Sequence, residues 1–326
     1  MPWPNVFQHR FLRIDLQTDF KSTISQSAVQ RHENLAQSVG TALGETVRIT
    51  SWRDGVDFWA DLAYRNNEII GVVRSPKHEI LSTSYEGDVD FADIIEKEVE
   101  VLGLLQSASI PAPMIVSWRR RSLDSPISWM LCELIPHSPL EELAPSLQAE
   151  LGDLARRIHA IRPIVSTMPI PVHWGSEMLG RLEGRLRSAK RYCDDLPTKR
   201  VLEVAKLRFE ERQCAAVSLL HMDLRASNIC VLGGRIAAII DVANAMVGDP
   251  WLELGRLRSF GSLTEPFRKA YGLDDDTLLA AGAHLDLYEL ETATLLMSVA
   301  VEEIEAPALF EASRKRALEL SSRLVA

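Results

Sequence analysis

The chain has 326 residues, 46% hydrophobic and 25% charged, enough for two lobes around a large core. Its 45 acidic and 36 basic residues give a formal net charge of −9, which argues against the basic face that a nucleic acid or an anionic membrane would require. No apolar run approaches the ~18 residues of a membrane span, no basic head precedes an apolar N-terminal stretch, and Cys132, Cys193, Cys214 and Cys230 form no C-x-x-C pair, as expected of buried thiols in a reducing, cytoplasmic setting.

In chain order, roughly the first 25 residues read as a loosely attached arm. A helix follows over Ser27 to Leu43, with Leu35, Val39 and Leu43 at helical spacing. Three β-like runs come next, Val47–Trp52, Val56–Tyr64 and Ile69–Arg74, with Asn66-Asn67 as the turn between the second and third. An amphipathic helix spans Phe91 to Gln106, with Asp88 and Asp90 available to cap it and Pro111 and Pro113 beyond its end. Two more strands, Met114–Trp118 and Ser128–Ile135, lead to a hinge near Leu134–Ser138. Beyond it the pattern turns helical, with Leu147–Ile161 and Ser176–Cys193 amphipathic and everything after Asp249-Pro250 helical. The expected architecture is α+β and two-lobed, with a small antiparallel sheet and one helix in residues 1–135 and a larger, mainly helical lobe in residues 136–326.

The helical lobe is interrupted by Ser218–Asp241, three short apolar runs carrying His221, Asp223, Asn228 and Asp241 at their ends. An apolar strand delivers His221, a tight loop carries Asp223 and Asn228, and a hairpin turning at Gly233-Gly234 ends at Asp241. Phosphoryl transfer from a nucleoside triphosphate calls for such a set. One carboxylate orients the acceptor hydroxyl and takes its proton, while a carboxylate and a neutral oxygen hold Mg²⁺ against the phosphates. Asp223 suits the first role, and Asp241 with Asn228 the second.

This segment resembles the catalytic loop of the aminoglycoside phosphotransferase and choline kinase family, whose fold is similar to that of protein kinases. Met222 stands where protein kinases have arginine. Gly248-Asp249-Pro250 matches the continuation of the family pattern, with Glu253 where aspartate is usual. The resemblance implies that His221 and Asp249 support the catalytic loop, with capping of a helix at Trp251–Arg258 as a compatible role for Asp249, and that Glu98 pairs with a cation on the nucleotide phosphates. That cation is usually lysine; Arg74 is the best match here and Lys77 the alternative. It further implies that Glu133 and Ile135 lie on the strand and hinge whose backbone meets the nucleotide base. Arg53-Asp54-Gly55 occupies the place of the phosphate-covering loop without its usual glycines. His159 is expected to pack against the catalytic loop.

Only Val242–Val247 separates Asp241 from Gly248, which leaves no room for a peptide-binding segment. The expected substrate is therefore a hydroxyl-bearing small molecule, a metabolite or antibiotic, with ATP or GTP as phosphate donor and Mg²⁺ as cofactor. Asp286 and Glu289, in an acidic stretch of the terminal helices, are candidates for contacting a cationic acceptor, with a solvated helix face as the alternative. Arg119-Arg120-Arg121 reads as a solvated strand end. A kinase fold that binds without turnover is the alternative reading, and a metal-dependent hydrolase lacks the further close-spaced ligands it would need. Oligomeric state and acceptor identity are left open.

Overall fold

A computed structural model describes residues 21–326 except 124, 138–139, 141, 164–166 and 211–217, with side chains from residue 29 onward in the first helix. The N-terminal arm before residue 21, Cys214 and the hinge residue Ser138 fall outside the described residues.

Helix α1 (Lys21–Leu43) precedes three antiparallel strands, β1 (Arg48–Asp54), β2 (Phe58–Arg65) and β3 (Glu68–Pro76). Asn66 and Asn67 both adopt positive φ, the conformation a two-residue hairpin turn demands and asparagine tolerates. A second hairpin, β4 (Ile80–Thr83) and β5 (Gly87–Asp90), comes before α2 (Phe91–Ser107), which Asp90 caps by accepting from the Ala92 N–H. Strands β6 (Ile115–Arg119) and β7 (Trp129–Cys132) complete a five-stranded sheet of order β1-β2-β3-β7-β6. Alternation along the strands splits its residues between two faces. Ala63, Val73, Trp129 and Leu131 pack on Leu35 and Val39 of α1, and the Trp129 indole N–H donates to Ser38. Phe58 and Met130 join Phe91, Ile95 and Leu102 of α2.

The second lobe is built on α3 (Pro145–Ala160), α4 (Trp174–Lys190) and α5 (Thr198–Glu210), then β8 (Ser218–Leu220). A 3₁₀ turn at Ala226–Asn228 leads into the hairpin β9 (Ile229–Leu232) and β10 (Arg235–Ile239). Strand β11 (Met246–Gly248) pairs antiparallel with β8, and α6 (Pro250–Ser259), α7 (Glu265–Tyr271), α8 (Asp275–Glu302) and α9 (Pro307–Val325) finish the chain. One core cluster runs from α2 through α3 to β9 and β10, and another joins α4, α5, α8 and α9. The hairpin β4–β5 and the helix α5 had no distinct sequence signature. The hairpin is polar and short, and α5 is the shortest of the three helices before β8, with only Val201, Ala205 and Phe209 buried.

The two lobes meet through more than the hinge. The tip of the β4–β5 hairpin lies on α4 and α8, where Arg185 donates to the Tyr85 carbonyl at 3.1 Å and to Glu86 at 2.6 Å, and the Ser84 N–H donates to Glu302 at 3.2 Å. Among the described residues, no helix is long and apolar enough to cross a membrane. Cys132, Cys193 and Cys230 are buried free thiols.

Candidate active site

Strand β8 is anchored to β11 by the pairs Ser218↔Gly248 and Leu220↔Met246, and this fixes where the chain turns into the loop at His221. Gly248 faces the ring of Trp174 so closely that a Cβ there would collide with it, which explains a glycine at that position. The loop then bends sharply, with Met222 at φ 67°, a left-handed conformation that costs a non-glycine residue energy and requires support. Glu253 supplies the support. Its buried carboxylate accepts the N–H of His221 at 3.0 Å, the N–H of Met222 at 2.5 Å, and a hydrogen bond with His159 Nε2 at 2.8 Å. The resemblance gave this bracing to Asp249, beside a compatible role as cap of the helix that follows, and the capping role is the one seen. In the structure Asp249 caps α6 by accepting from the Trp251 N–H and takes the Tyr288 hydroxyl at 3.1 Å. The reason is reach: Asp249 precedes the first turn of α6, whereas Glu253, one turn on, points back under the loop. His159 meets the loop through Glu253 and is held on its other side by the Tyr271 hydroxyl.

Asp223 is buried. Its N–H donates to His221 Nδ1 at 3.2 Å, and its carboxylate receives Asn228 Nδ2 at 2.8 Å and pairs with Arg225 at 3.0 Å. Asn228 spends its amide N–H groups on Asp223, side chain and carbonyl alike, so its Oδ1 is the atom left to act as a ligand. The Ile240 N–H donates to the Asn228 carbonyl at 3.0 Å, and this backbone bond sets Asp241 next to Asn228. Asp241 also lies at positive φ, 64°.

Arg74, from β3 in the other lobe, crosses the cleft. One of its terminal nitrogens lies 3.1 Å from Glu98 on α2 and 3.1 Å from Asp241, and its guanidinium sits over the Phe58 ring. One guanidinium thus serves two carboxylates, and their acidities part accordingly. Burial pushes Glu98 up to about 7, against the pull of Arg74. Burial also opposes ionisation of Asp241, but Arg74, Arg225 and His221 together hold it below the usual carboxylate range. Lys77, the alternative cation, is instead paired with Asp54 at the end of β1, where the loop to β2 begins. Asp57 of that loop is raised in pKa, by burial first and by the charge of Asp241 next. Arg53 stacks on Trp52 and reaches His137 of the hinge at 3.1 Å. At the hinge the Glu133 N–H donates to the Met114 carbonyl, and the Ile135 carbonyl is engaged by His137 Nδ1 at 2.8 Å.

The acidic candidates on α8 have other partners. Glu289 is buried between Arg258 of α6 and Arg316 of α9, and Asp286 pairs with Arg258 at 2.5 Å and Arg323 at 3.1 Å. Neither carboxylate is free to meet a cationic acceptor, nor is it part of a solvated acidic face, because the arginines of α6 and α9 neutralise both. Arg120 and Arg121 likewise pair with acidic residues at the start of α2. Near the catalytic loop, Arg225, Arg256, Arg181 and Arg185 had no assignment from sequence, and Glu291 stood only as part of the acidic stretch of α8. The arginine pair on α4 at i and i+4, and Arg256 three residues after Glu253, were the available signals.

A family model described as "Phosphotransferase enzyme family" matches residues 80–285. No curated protein matches in sequence. Among solved structures, the chain is similar to a Ralstonia eutropha JMP134 protein described as an aminoglycoside phosphotransferase (TM-score 0.64, 13% identity, 90% of this chain and 97% of that chain). It is also similar to a thermostable mutant of aminoglycoside phosphotransferase APH(4)-Ia in ternary complex with ADP and hygromycin B (0.63, 15%, 89% and 98%). A third likeness is to the ternary complex of streptomycin, ATP and APH(2″)-IIa (0.58, 16%, 89% and 97%). At these identities the likeness to solved structures is one of fold. The family match spans most of the chain and includes every residue from the β4–β5 hairpin to the middle of α8, so this protein belongs to the phosphotransferase enzyme family, with its kinase-like two-lobed fold.

Proposed function

We propose that the protein transfers the terminal phosphoryl group of ATP, or of GTP, to a hydroxyl of a small molecule. The observation that carries this reading is the meeting of Asp223, Asn228, Asp241 and Arg74 at one place between the lobes. Asp223 orients the acceptor hydroxyl and takes its proton. As that oxygen bonds to the γ-phosphorus, the bond from phosphorus to the β,γ-bridging oxygen breaks and the nucleoside diphosphate leaves. Arg74, steadied by Glu98, positions the phosphates, and the backbone of Glu133 and Ile135 borders the base. The donor set of Asp241 carboxylate and Asn228 Oδ1 is all oxygen and fits Mg²⁺, which when bound neutralises charge on the phosphate oxygens. A small acceptor is favoured by the short path from Asp241 to β11, which closes in a turn where the Ala245 N–H meets the Val242 carbonyl.

Calorimetric titration with Mg-ATP and Mg-GTP tests the reading directly, and absence of Mg-dependent nucleotide binding would sink it. Asp241→Ala is expected to weaken that binding by about tenfold or more, equivalent to ~1.4 kcal/mol. Asp223→Asn is expected to leave binding intact and to lower turnover by ~10²–10⁴-fold, the usual worth of a general base. Nucleotide binding with no turnover on any hydroxyl compound would favour the binding-only reading.

A further inference from the structure

The acceptor side of Asp223 is cationic. Helix α4 presents Arg181 and Arg185 one turn apart, α6 presents Arg256, and α2 presents Lys97. The carboxylates paired with the two α4 arginines are Glu291 of α8 and Glu86 from the β4–β5 tip. Arg185 is fully engaged, its Nε with Glu291 at 3.3 Å, one terminal nitrogen with the Tyr85 carbonyl and the other with Glu86. Arg181 gives its Nε to the same Glu291 oxygen at 2.6 Å, and its side chain remains 27% exposed.

Arg256 is different. It is nine-tenths buried, its Nε has no partner, and among the described residues no hydrogen bond or ion pair reaches its guanidinium. Asp223 and Glu291 are the carboxylates that act on it through space, while Arg181 and Arg185 oppose its charge. Glu253, three residues earlier on α6, holds the catalytic loop, so helix geometry brings Arg256 beside that loop. A guanidinium does not shed its proton, and a buried one with no hydrogen-bonded partner is costly to keep. Lys97 lies in the same field, its pKa lowered by burial against the pull of Glu98 and Glu86, with Arg181 adding to the lowering. An amino sugar carrying several positive charges would face Arg181, Arg185, Arg256 and Lys97 together.

We propose that the acceptor is an anionic hydroxyl compound whose carboxylate or phosphate ester is bound by Arg256 and Arg181 while its hydroxyl lies at Asp223. This deepens the phosphotransfer reading and rests on it for the role of Asp223. A planar guanidinium matches either anion through paired N–H donors.

The test is calorimetric titration of the full chain, with and without ADP, using a panel of probes. Glycerate and gluconate represent the carboxylates, glycerol phosphate and glucose phosphate the phosphate esters, sorbitol a neutral polyol and kanamycin a polycation. At least one anionic probe is expected to bind about tenfold or more tightly than sorbitol and kanamycin, and the arm that wins identifies the anion. Arg256→Met is expected to remove about tenfold or more of that affinity with ADP binding unchanged, and Arg256→Lys, which keeps the charge, to retain part of it. Arg181→Gln, at a more exposed site, serves as an independent variant should Arg256→Met fail to fold. The proposal is overturned if no anionic probe binds, if kanamycin or sorbitol binds as well as the best anion, or if the anion affinity is indifferent to the variants that fold. Loss of ADP binding with an Arg256-dependent anion site intact would instead sink the phosphotransfer reading and leave the anion site standing.

Discussion

Glu253 holds three partners with one carboxylate: the backbone of His221, the backbone of Met222 and the imidazole of His159. It is buried, and His159 and His221 hold its pKa below the usual range although burial alone would raise it. Removing the carboxylate leaves two buried N–H groups unmatched beside a residue already at positive φ. Glu253→Ala is therefore expected to destabilise the fold by about 3–5 kcal/mol, as for other broken buried charge networks. Urea denaturation would measure this, and a cost below about 1 kcal/mol would show that water replaces the carboxylate without penalty. Glu253→Asp keeps the charge but shortens the reach, so its cost should be smaller and should fall more on turnover than on stability.

At the scale of elements, close approach between helices explains where small residues are required. Gly152 of α3 lies against the backbone of α7, and a Cβ there would collide with the carbonyl of Phe267. That contact holds α7, and with it Tyr271, against His159. Gly152→Ala is expected to cost about 1–3 kcal/mol through forced separation of α3 and α7. Gly184, within α4, has open space around the same position and no positive φ, so Gly184→Ala is expected to stabilise by about 0.5–1 kcal/mol. The contrast between the two, read from chemical denaturation, separates packing from helix propensity. Similar changes at both sites would refute the close-approach account.

For the whole molecule, the two lobes are joined by charge as well as by chain. Arg74 spans the cleft at one end, and the hairpin tip on Arg185 and Glu302 closes it at the other. These groups set the pH response. Glu291 is buried, which alone would raise it, yet Arg181, Arg185 and Arg256 bring it to about 2, and Arg185 lowers Glu86 as well. Their folded values lie below the ordinary 4.5, so their contribution is present above that pH and is lost as pH falls toward 2. Burial moves Glu98 and Glu303 the other way, each up to about 7. The folded chain then holds more protons than the unfolded one between 4.5 and 7, and stability declines as pH rises through that window. The apoprotein is expected to be most stable near about pH 5. Glu291→Gln should flatten the acid limb and Glu98→Gln the decline toward neutrality. A urea-midpoint profile unchanged by both substitutions would refute this assignment.

The sequence by itself determined the order of the lobes, the sheet hairpin at Asn66-Asn67, and the grouping of His221, Asp223, Asn228 and Asp241. These features are local: a loop and one hairpin place the four residues, and turn chemistry and apolar periodicity are written in neighbouring positions. Arg74 and Glu98 were legible through the resemblance, and the structure brings them to Asp241. Only the tertiary structure decided which charges are spent and which remain. Asp286 and Glu289 look available in sequence, but α6 and α9 fold arginines onto them. Glu86 and Arg185 are 99 positions apart and Ser84 and Glu302 are 218 apart, so no spacing rule could pair them. Arg256 reads as an ordinary helical arginine until burial without a partner sets it apart. The physical reason is the same in each case: a charged side chain takes its meaning from the partner and the dielectric that packing gives it.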